Sequence, residues 1–456
     1  SCDSTCSDRN DARKLTVAHL PGPCRPVMFS NSPNQLAHAQ CCNAALCHIN
    51  DCTLSGYDWL SADPDQYNVP RFVPDGPGNT GGILPNTSIG SVTLSTESDQ
   101  AKFLNSIEIS FVGRPLGEIA RVRTDDGSNG PLQVAVELGF PCQGAYKQLC
   151  REMTDALIRE FGVETAEVEL SLKVRRHAVQ PNLQPLPGVK NLIAVASGKG
   201  GVGKSTVAAN IALALAGEGA AVGVLDADIY GPSQIQMLGL TGKVPETEDG
   251  KSMLPLRAYD LQVMSMGALV GADQPMVWRG PMVTSALNQL ATQTNWDNLD
   301  YLIVDMPPGT GDIQLTLSQQ IPVSGSIVVT TPQDIATLDA RKGLAMVRKV
   351  NIPVFGVIEN MATHICSNCG HEDAIFGEGG AERIVQDFEV PLLGRLPLDA
   401  RIREQTDSGM PTVVAEPDSD IAQAYREAAW KIGAAQAAER VDHSAKFGPI
   451  VVEPSQ

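Results

Sequence analysis

Residues 198–206, with the sequence GKGGVGKST, form a glycine-rich loop between two apolar segments. The apolar run 192–196 precedes the loop, and the apolar, helical stretch 207–216 follows it. Glycines allow successive backbone N–H groups to curve around phosphate oxygens, and the following helix directs the positive end of its dipole at the same anion. This strand, loop and helix context is what a phosphate-binding loop requires. The sequence therefore predicts a nucleotide-binding site.

The side chains of this loop have predicted roles. Lys204 can reach the β- and γ-phosphates of the nucleotide, and the hydroxyl group of Ser205 can ligate Mg²⁺. The predicted nucleotide-binding residues of the loop are Gly198, Lys199, Gly200, Gly201, Val202, Gly203, Lys204, Ser205 and Thr206.

Length and charge limit the classes of function that this chain can have. Its 456 residues predict more than one domain. Its formal net charge of −18 disfavours binding to nucleic acid or to anionic lipid, both of which favour basic surfaces. Residues 1–6 begin no apolar signal core, and no apolar run approaches the roughly 20 residues of a membrane span. We therefore expect a soluble, cytoplasmic protein that binds neither nucleic acid nor membrane.

Residues 1–97 differ in composition from the rest of the chain. They are rich in Ser, Asn, Asp, Pro and Gly and have no sustained period of 2 or 3.6 residues. This pattern predicts a poorly structured or disordered N-terminal extension. The cluster of Cys41, Cys42, Cys47, His48 and Cys52 has no recognisable ligand spacing, so incidental thiols are favoured over a metal site.

The remaining chain predicts two α/β regions. A small α/β domain over 98–175 has predicted strands at 118–123, 132–138 and 168–172, and a helix from Tyr146 to Phe161. A proline-rich linker (176–190) leads to a predicted ATPase domain (191–440) and a C-terminal tail (441–456). Alternating apolar runs and helical stretches in the ATPase domain are typical of a parallel sheet covered on both faces. Its predicted strands are 193–196, 222–225, 261–264, 301–304, 326–330, 354–358 and 392–396, and its predicted helices include 281–291, 334–350 and 418–438.

Two of the predicted strands lead directly to aspartates. The segment LDADIYGP (225–232) places Asp228 after one strand, and YLIVDMPPGTGD (301–312) places Asp305 at the end of another. In parallel sheets, ligands bind at the carboxyl ends of the strands. We expect Asp305 to hold the water shell of a magnesium ion there.

These segments resemble a known family. The extra lysine near the start of the loop, Lys199, is similar to that of deviant Walker A ATPases related to MinD, ParA and the nitrogenase iron protein. Together with LDADIYGPS (225–233), VWRGPM (277–282), DMPPGTGD (305–312) and ICSNCG (365–370), the loop resembles the Mrp/ApbC group of iron–sulfur cluster carriers over about residues 98–450. The resemblance implies an α/β P-loop NTPase fold with a mostly parallel, doubly wound sheet. The resemblance also implies a small α/β domain of the iron–sulfur-assembly type in front of the ATPase domain.

The resemblance also implies how the nucleotide is used. It implies a homodimer with ATP near the subunit interface, in which Lys199 reaches across to the nucleotide of the partner subunit. Lys204 and Ser205 serve the phosphates and magnesium of their own subunit. Asp228 matches the position that orients the attacking water, and Asp305 matches the position that supports magnesium.

The sequence leaves two interpretations open for each of two further residues, Asn360 and Cys142. Asn360 lies where relatives contact adenine, whose edge an amide can recognise with one donor and one acceptor; a turn-forming Asn is the alternative. Cys142 precedes the helix of the small domain, where a thiol is either reactive or a buried structural group. The segment 111–115 lacks the acidic residue before proline that usually opens this domain in the family, which weakens a functional role for the domain.

Cys366 and Cys369 form the C-x-x-C pair of the ATPase domain. Two thiolates can chelate one metal ion, but tetrahedral zinc or an iron–sulfur cluster requires four ligands. Two subunits would supply four thiolates by symmetry. The resemblance implies a [4Fe–4S] cluster held in this way. The alternatives are zinc, with His364 or His371 as further ligands, and a redox dithiol.

The predicted function is that of an ATP-hydrolysing carrier, which receives a [4Fe–4S] cluster from an assembly scaffold and transfers it to apo-proteins. A MinD/ParA-like positioning ATPase and a cluster-containing reductase would use the same ATPase core. The net charge, the thiol pair and the lack of a basic C-terminal helix favour the carrier over the positioning ATPase. A reductase of this class usually has its cluster cysteines at other places in the fold.

Overall fold

Strands and helices alternate through most of the chain. A computed structural model describes residues 98–125, 131–180, 183–247, 250–269, 280–366 and 368–442. The predictions for residues 1–97, including the cysteine cluster at 41–52, lie outside the described residues, as do residues 277–279 and 443–456. No described helix combines the length and the apolar character that crossing a membrane requires.

The first part of the described chain is a three-stranded sheet with one long helix. Its elements are α1 (Asp99–Ser106), β1 (Glu108–Ile109), β2 (Arg114–Pro115), α2 (Leu116–Ile119), β3 (Ala120–Asp125), β4 (Leu132–Leu138), α3 (Tyr146–Phe161) and β5 (Ala166–Leu172). The central strand, β4, is antiparallel to β3 and parallel to β5. Its buried side chains alternate along the strand and share one apolar core with α3. The predicted strand 132–138 and the predicted helix are confirmed.

The strand predicted over 118–123 begins later than predicted. Residues 116–119 instead form the single helical turn α2, and β3 starts at Ala120. Leu116 and Ile119 are both buried beneath this turn. Apolar runs this short fit a helical turn as well as a strand, so tertiary packing decides between them.

The second part of the chain forms an eight-stranded sheet with helices. Its strands are β6 (Val189–Ala196), β7 (Val222–Asp226), β8 (Leu256–Ala258), β9 (Leu261–Ser265), β10 (Leu299–Asp305), β11 (Gly325–Thr330), β12 (Val354–Glu359) and β15 (Leu392–Arg395), and a separate hairpin contains β13 (His364–Ile365) and β14 (Glu372–Asp373). Its helices are α4 (Lys204–Gly217), α5 (Gln234–Met237), α6 (Met266–Leu269), α7 (Gly280–Thr292), α8 (Asp312–Gln320), α9 (Asp334–Lys349), α10 (Gly380–Phe388), α11 (Ala400–Asp407), α12 (Thr412–Ala415) and α13 (Asp420–Ala437).

The strand order in the large sheet is β15-β12-β11-β6-β10-β7-β9-β8. All neighbouring strands are parallel except β8, a short antiparallel edge strand that the sequence did not predict. The seven predicted strands and the predicted mostly parallel α/β sheet are confirmed. Along β6, Ile193 and Val195 enter one apolar core, whereas Leu192 and Ala194 enter the other. Both faces of the sheet are therefore covered, as the near-continuous apolar strands require.

The last helix, α13, contributes to two apolar cores. Four of its apolar side chains are buried in a core of the large sheet: Ile421, Tyr425, Ala428 and Ile432. Trp430 and Ala434 instead belong to the core of the three-stranded part. The ring of Trp430 packs against Phe111, with 5.1 Å between the ring centroids. The predicted helix 418–438 is thus confirmed as α13, and its apolar residues belong to the core.

The helix that follows the phosphate-binding loop, α4, ends against the three-stranded part. Glu218, the residue after α4, is buried, and its Oε2 accepts a hydrogen bond of 2.7 Å from the backbone N–H of Gly144. A buried carboxylate requires such partners, because burial removes its hydration. This contact fixes the far end of α4 to the first part of the chain.

The segment predicted as a linker is partly packed against the large sheet. His177 is buried, and its Nδ1 donates to Asn191 Oδ1 at 2.9 Å. Gln180 Nε2 donates to the carbonyl oxygen of Ser318 at 2.8 Å. The strand β6 begins at Val189, two residues before the predicted start of the ATPase domain. Proline content indicated the break in regular structure but gave no sign of these side-chain contacts.

Candidate functional site

Three adjacent strands bring the nucleotide-site motifs to one edge of the large sheet. The glycine-rich loop follows β6, Asp226 ends β7, and Asp305 ends β10, which lies between the other two strands. In the register of the sheet, Asp305 lies directly beside Val195 on one side and Asp226 on the other. Because these strands are parallel, their carboxyl ends meet where ligands bind in such sheets.

The loop has the backbone conformation of a phosphate cradle. Gly201 and Gly203 have φ values of +86° and +81°, in the left-handed region that favours glycine. α4 begins directly after Gly203, so its N-terminal N–H groups face the loop. A cavity of about 220 Å³ is lined here by Ser197, Lys199, Gly200, Gly201, Gly203, Lys204, Ser205, Thr206, Asp228, Ser233, Met237 and Pro308. Seven of the nine predicted loop residues therefore line one cavity.

Position 198 requires a glycine for a steric reason that the loop motif alone does not indicate. A Cβ atom at this position would lie 2.1 Å from the backbone carbonyl carbon and oxygen of Asp339 in α9. Backbone atoms cannot move aside as a flexible side chain can. The start of the loop therefore packs directly against α9.

We expect Gly198→Ala to lower the free energy of unfolding by about 2 kcal/mol, because α9 or the loop must shift. Nucleotide affinity should fall as well, by about tenfold or more, since the loop moves out of its phosphate-binding conformation. Denaturant unfolding and titration with a fluorescent nucleotide measure the two effects. Gly200→Ala is the matched control for stability, because its Cβ would have Pro308 Cβ, at 3.9 Å, as its nearest neighbour. Equal unfolding free energies of the two variants would contradict the steric argument.

Lys204 lies buried among carboxylates. Its ammonium group forms an ion pair with Asp305 and lies 3.9 Å from Asp228 Oδ2 and 3.4 Å from Ser205 Oγ. The side chain of Lys204 is 5% exposed and that of Asp305 is fully buried. Burial raises the pKa of Asp228, while the charge of Lys204 opposes that rise. The structure thus brings together four of the predicted residues: Lys204, Ser205, Asp228 and Asp305.

Asp226 organises the loop that carries Asp228. It is fully buried, and its carboxylate accepts hydrogen bonds from the backbone N–H groups of Asp228, Ser233 and Gln234 at 3.0–3.2 Å and from Ser265 Oγ at 3.1 Å. Burial and the neighbouring Asp305 carboxylate raise the pKa of Asp226 to about 7. Asp226 had no predicted role of its own, although its position at the end of a predicted strand was the available signal.

Gln234 is a second site residue that was not predicted from the sequence. Its Nε2 donates to Asp305 Oδ2 at 2.9 Å and to the carbonyl oxygen of Ser205 at 3.0 Å. It directly follows the segment LDADIYGPS (225–233), and no general motif marks a glutamine at this distance from the aspartates. Only the fold shows that it contacts the loop and both aspartate strands.

Lys199 and Asn360 lie on different sides of the loop. Lys199 is exposed at the mouth of the cavity. Asn360 is buried after β12, and its Nδ2 donates to the carbonyl oxygen of Val202 at 2.9 Å. A Cβ on Gly203 would lie 2.3 Å from the same nitrogen. The structure therefore shows Asn360 bracing the loop, while its predicted contact with adenine stays a prediction.

The thiol pair lies on the turn of the short hairpin formed by β13 and β14. The backbone N–H of Cys366 donates to the His371 carbonyl oxygen at 2.9 Å, and that of Gly370 donates to the Cys366 carbonyl oxygen at 2.8 Å. Cys369 is exposed and Cys366 is partly exposed. The backbone N–H groups of Asn368 and Cys369 lower the pKa of Cys366 by hydrogen bonding to its sulfur. These features favour an accessible thiolate that can ligate a soft metal.

The zinc alternative depends on whether one chain supplies further ligands beside its two thiols. Among the described residues, no group of three or more His, Cys, Asp or Glu side chains is arranged to hold a metal ion. His364 Nδ1 donates to the carbonyl oxygen of Leu398 at 2.9 Å, which leaves Nε2 as the ring nitrogen that can ligate a metal. The zinc alternative, in which His364 or His371 supplies further ligands, therefore stays open.

Cys142 is a buried thiol at the contact between the two parts of the chain. It is 0% exposed and precedes the helical turn 143–145 before α3. Burial, and then the nearby Glu218 carboxylate, raise the pKa of its thiol. A raised pKa disfavours the reactive thiolate, so the structural interpretation of Cys142 is the better supported one.

The phosphate-binding loop, the buried lysine and the aspartates at the ends of neighbouring parallel strands define the chain as a P-loop nucleoside triphosphatase. A family model described as a ParA-type, NUBPL iron-transfer P-loop NTPase matches residues 188–433. The chain belongs to this family.

Individual relatives agree with the family. The iron–sulfur cluster carrier protein of Pseudomonas fragi is 60% identical over 269 residues, which cover 59% of this chain and 94% of that protein. The iron–sulfur cluster transfer protein NUBPL of Mus musculus is 51% identical over 261 residues, 56% of this chain and 82% of that protein. A solved nucleotide-binding protein from Archaeoglobus fulgidus, in complex with ADP, is 34% identical with a TM-score of 0.45 and covers 51% of this chain and 90% of that one.

Proposed function

We propose that this chain is an ATP-dependent carrier that holds a [4Fe–4S] cluster between two copies of itself and transfers it to apo-proteins. The observation that carries the proposal is the exposed thiol turn, Cys366 and Cys369, in a member of the iron-transfer family. Relatives named as iron–sulfur cluster carrier and transfer proteins support the same function. We expect the assembly scaffold to supply the cluster in the cytoplasm.

The number of ligands supports a site shared by two chains. A [4Fe–4S] cluster takes four protein ligands, and one turn offers two thiols. A twofold axis through the turn would bring two copies of Cys366 and Cys369 to one cluster. Accessible thiolates on a short hairpin suit a cargo that must leave again, because little structure has to open for its release.

The nucleotide site supplies the groups that ATP hydrolysis needs. Ser205 Oγ and the Asp305 carboxylate are the hard oxygen ligands that Mg²⁺ prefers, and both lie beside Lys204, so these residues fit the ion. Bound Mg²⁺ would neutralise charge on the β- and γ-phosphates. Lys204 would move from the carboxylates to the phosphates, and Asp228 would orient the attacking water. Lys199, exposed at the cavity mouth, is free to reach the nucleotide of a second chain.

A short stretch of chain connects the two sites. Asn360 braces the phosphate-binding loop through Val202, and Cys366 follows only six residues later along the chain. A nucleotide that shifts the loop would therefore also shift the base of the thiol hairpin. Such a coupling would let the nucleotide state alter how firmly two chains hold the cluster.

Anaerobic reconstitution of the wild-type protein tests the proposal. We expect about four irons and about four sulfides per dimer, loss of the cluster to an apo-protein acceptor, and a transfer rate that changes with Mg·ATP. Iron, sulfide and zinc analysis, size-exclusion chromatography and recovery of acceptor activity measure these quantities. Stoichiometric zinc without sulfide, or a cluster bound by monomers, would refute the shared cluster.

A further inference from the structure

Gln234 has an unsatisfied acceptor inside the nucleotide site. It is the first residue of α5 and is 0% exposed. Its Nε2 donates to Asp305 Oδ2 at 2.9 Å and to the Ser205 carbonyl oxygen at 3.0 Å. Its Oε1 is buried and has no hydrogen-bond partner among the described residues. Buried polar atoms in folded proteins nearly always have a partner, so this atom points to a donor that the described residues do not supply.

The orientation of the amide follows from its neighbours. Both contacts of Nε2 are acceptors, a carboxylate and a carbonyl oxygen. In the opposite orientation, Oε1 would face these two acceptor oxygens, and the NH₂ group would lose both hydrogen bonds. The side-chain atom of Gln234 without a partner among the described residues is therefore the acceptor Oε1, which requires a hydrogen-bond donor.

The surroundings of Gln234 indicate what that donor is. The side chain of Gln234 contacts Asp305 and Ser205, and its backbone N–H donates to the Asp226 carboxylate at 3.1 Å. Asp305 and Ser205 are the two proposed magnesium ligands. Magnesium in nucleotide sites keeps several of its water molecules, and each of these waters donates hydrogen bonds to neighbouring acceptors.

We propose that Gln234 is a positioning residue of the magnesium site, which orients Asp305 through Nε2 and accepts a hydrogen bond from a magnesium-bound water through Oε1. This inference rests on the proposed nucleotide function and adds a residue to it. Residues that orient the ligands and waters of a metal ion commonly change its affinity by 10- to 100-fold, roughly, when they are replaced.

The variant Gln234→Met keeps the length of the side chain and removes both polar functions. The matched control is Gln236→Met, which makes the same change at an exposed position of α5. Fluorescent ADP is titrated into each protein in EDTA and then over a series of Mg²⁺ concentrations. We expect unchanged affinity in EDTA and a requirement for about tenfold more Mg²⁺ in Gln234→Met, with Gln236→Met like the wild type.

The outcomes separate this inference from the proposed function. If the wild type shows no Mg²⁺-dependent nucleotide binding, the nucleotide part of the proposed function fails. If the wild type shows it and Gln234→Met has the same Mg²⁺ dependence, the inference is wrong. A purely structural role would weaken binding equally with and without Mg²⁺, which also overturns it.

A crystal structure of the wild type with Mg·ADP tests the same point without any variant, should Gln234→Met fail to fold. We expect Oε1 within hydrogen-bond distance of a water that is bound to the metal. An Oε1 that faces a protein donor, or a water remote from the metal, would overturn the inference.

Discussion

Replacing Cys366 by serine is expected to abolish cluster binding. A dimer of the variant would keep two of the four sulfur ligands, and a serine hydroxyl is a poor ligand for iron in a sulfide cluster. We expect iron after anaerobic reconstitution to fall from about four per dimer to the background of the unreconstituted protein. Iron and sulfide analysis, together with the visible absorbance of the cluster, measures the loss.

The matched control for this variant is Cys150→Ser. Cys150 lies in α3, is partly buried, and donates weakly to the Val168 carbonyl oxygen at 3.5 Å, a contact that serine can keep. We expect this variant to bind as much iron as the wild type. Nucleotide affinity should be unchanged in both variants, because neither thiol lines the nucleotide cavity. Equal iron in Cys366→Ser and the wild type would show that the thiol turn does not hold the cargo.

Replacing Lys204 by methionine is expected to damage both catalysis and stability. Removing a charged group that stabilises the transferring phosphoryl group should lower the rate of ATP hydrolysis by about 100-fold or more. The same change leaves the fully buried carboxylate of Asp305 without its ion-pair partner and removes the positive charge that favours the ionised form of the neighbouring Asp226. Breaking a buried ion pair by removing one partner costs about 3–5 kcal/mol. Steady-state phosphate release and denaturant unfolding measure the two losses.

The variant Lys199→Met separates the effect on ATP hydrolysis from the effect on stability. Lys199 is exposed, so its replacement should leave the free energy of unfolding unchanged. If Lys199 acts on the nucleotide of the partner subunit, hydrolysis should still fall, and mixing Lys199→Met with Lys204→Met subunits should restore part of the activity through mixed dimers. A Lys204→Met protein as stable as the wild type would refute the proposed role of the buried charge cluster.

Much of the architecture is a local property of the sequence. The glycine loop, the apolar run before it and the apolar helix after it are contiguous in the chain, and the structure forms them as β6, the loop and α4. The seven predicted strands were recognisable in the sequence as apolar runs, because a parallel sheet that is covered on both faces requires such runs. The edge strand β8 was missed because its three residues, two half-buried and one exposed, produce no comparable pattern.

The site itself depends on contacts between distant parts of the chain. The sequence identified Lys204, Asp228 and Asp305 as candidates, but the order β6-β10-β7 is what places Asp305 beside Asp226 and within reach of Lys204. Gln234 had no recognisable signal, because its role exists only where α5 meets Asp305 and the loop.

The sequence alone determined that this chain binds a nucleotide through a P-loop and carries a close pair of thiols, since both are short contiguous motifs whose chemistry follows from their residue types. The tertiary structure decided which aspartates share the site, that Gly198 must lack a side chain against α9, and that Cys142 is buried while Cys366 and Cys369 are accessible. The physical reason is that burial, ion pairing and steric contact arise between residues far apart along the chain: Lys204 and Asp305 hydrogen-bond across a separation of 101 residues, and Asn360 and Val202 across 158.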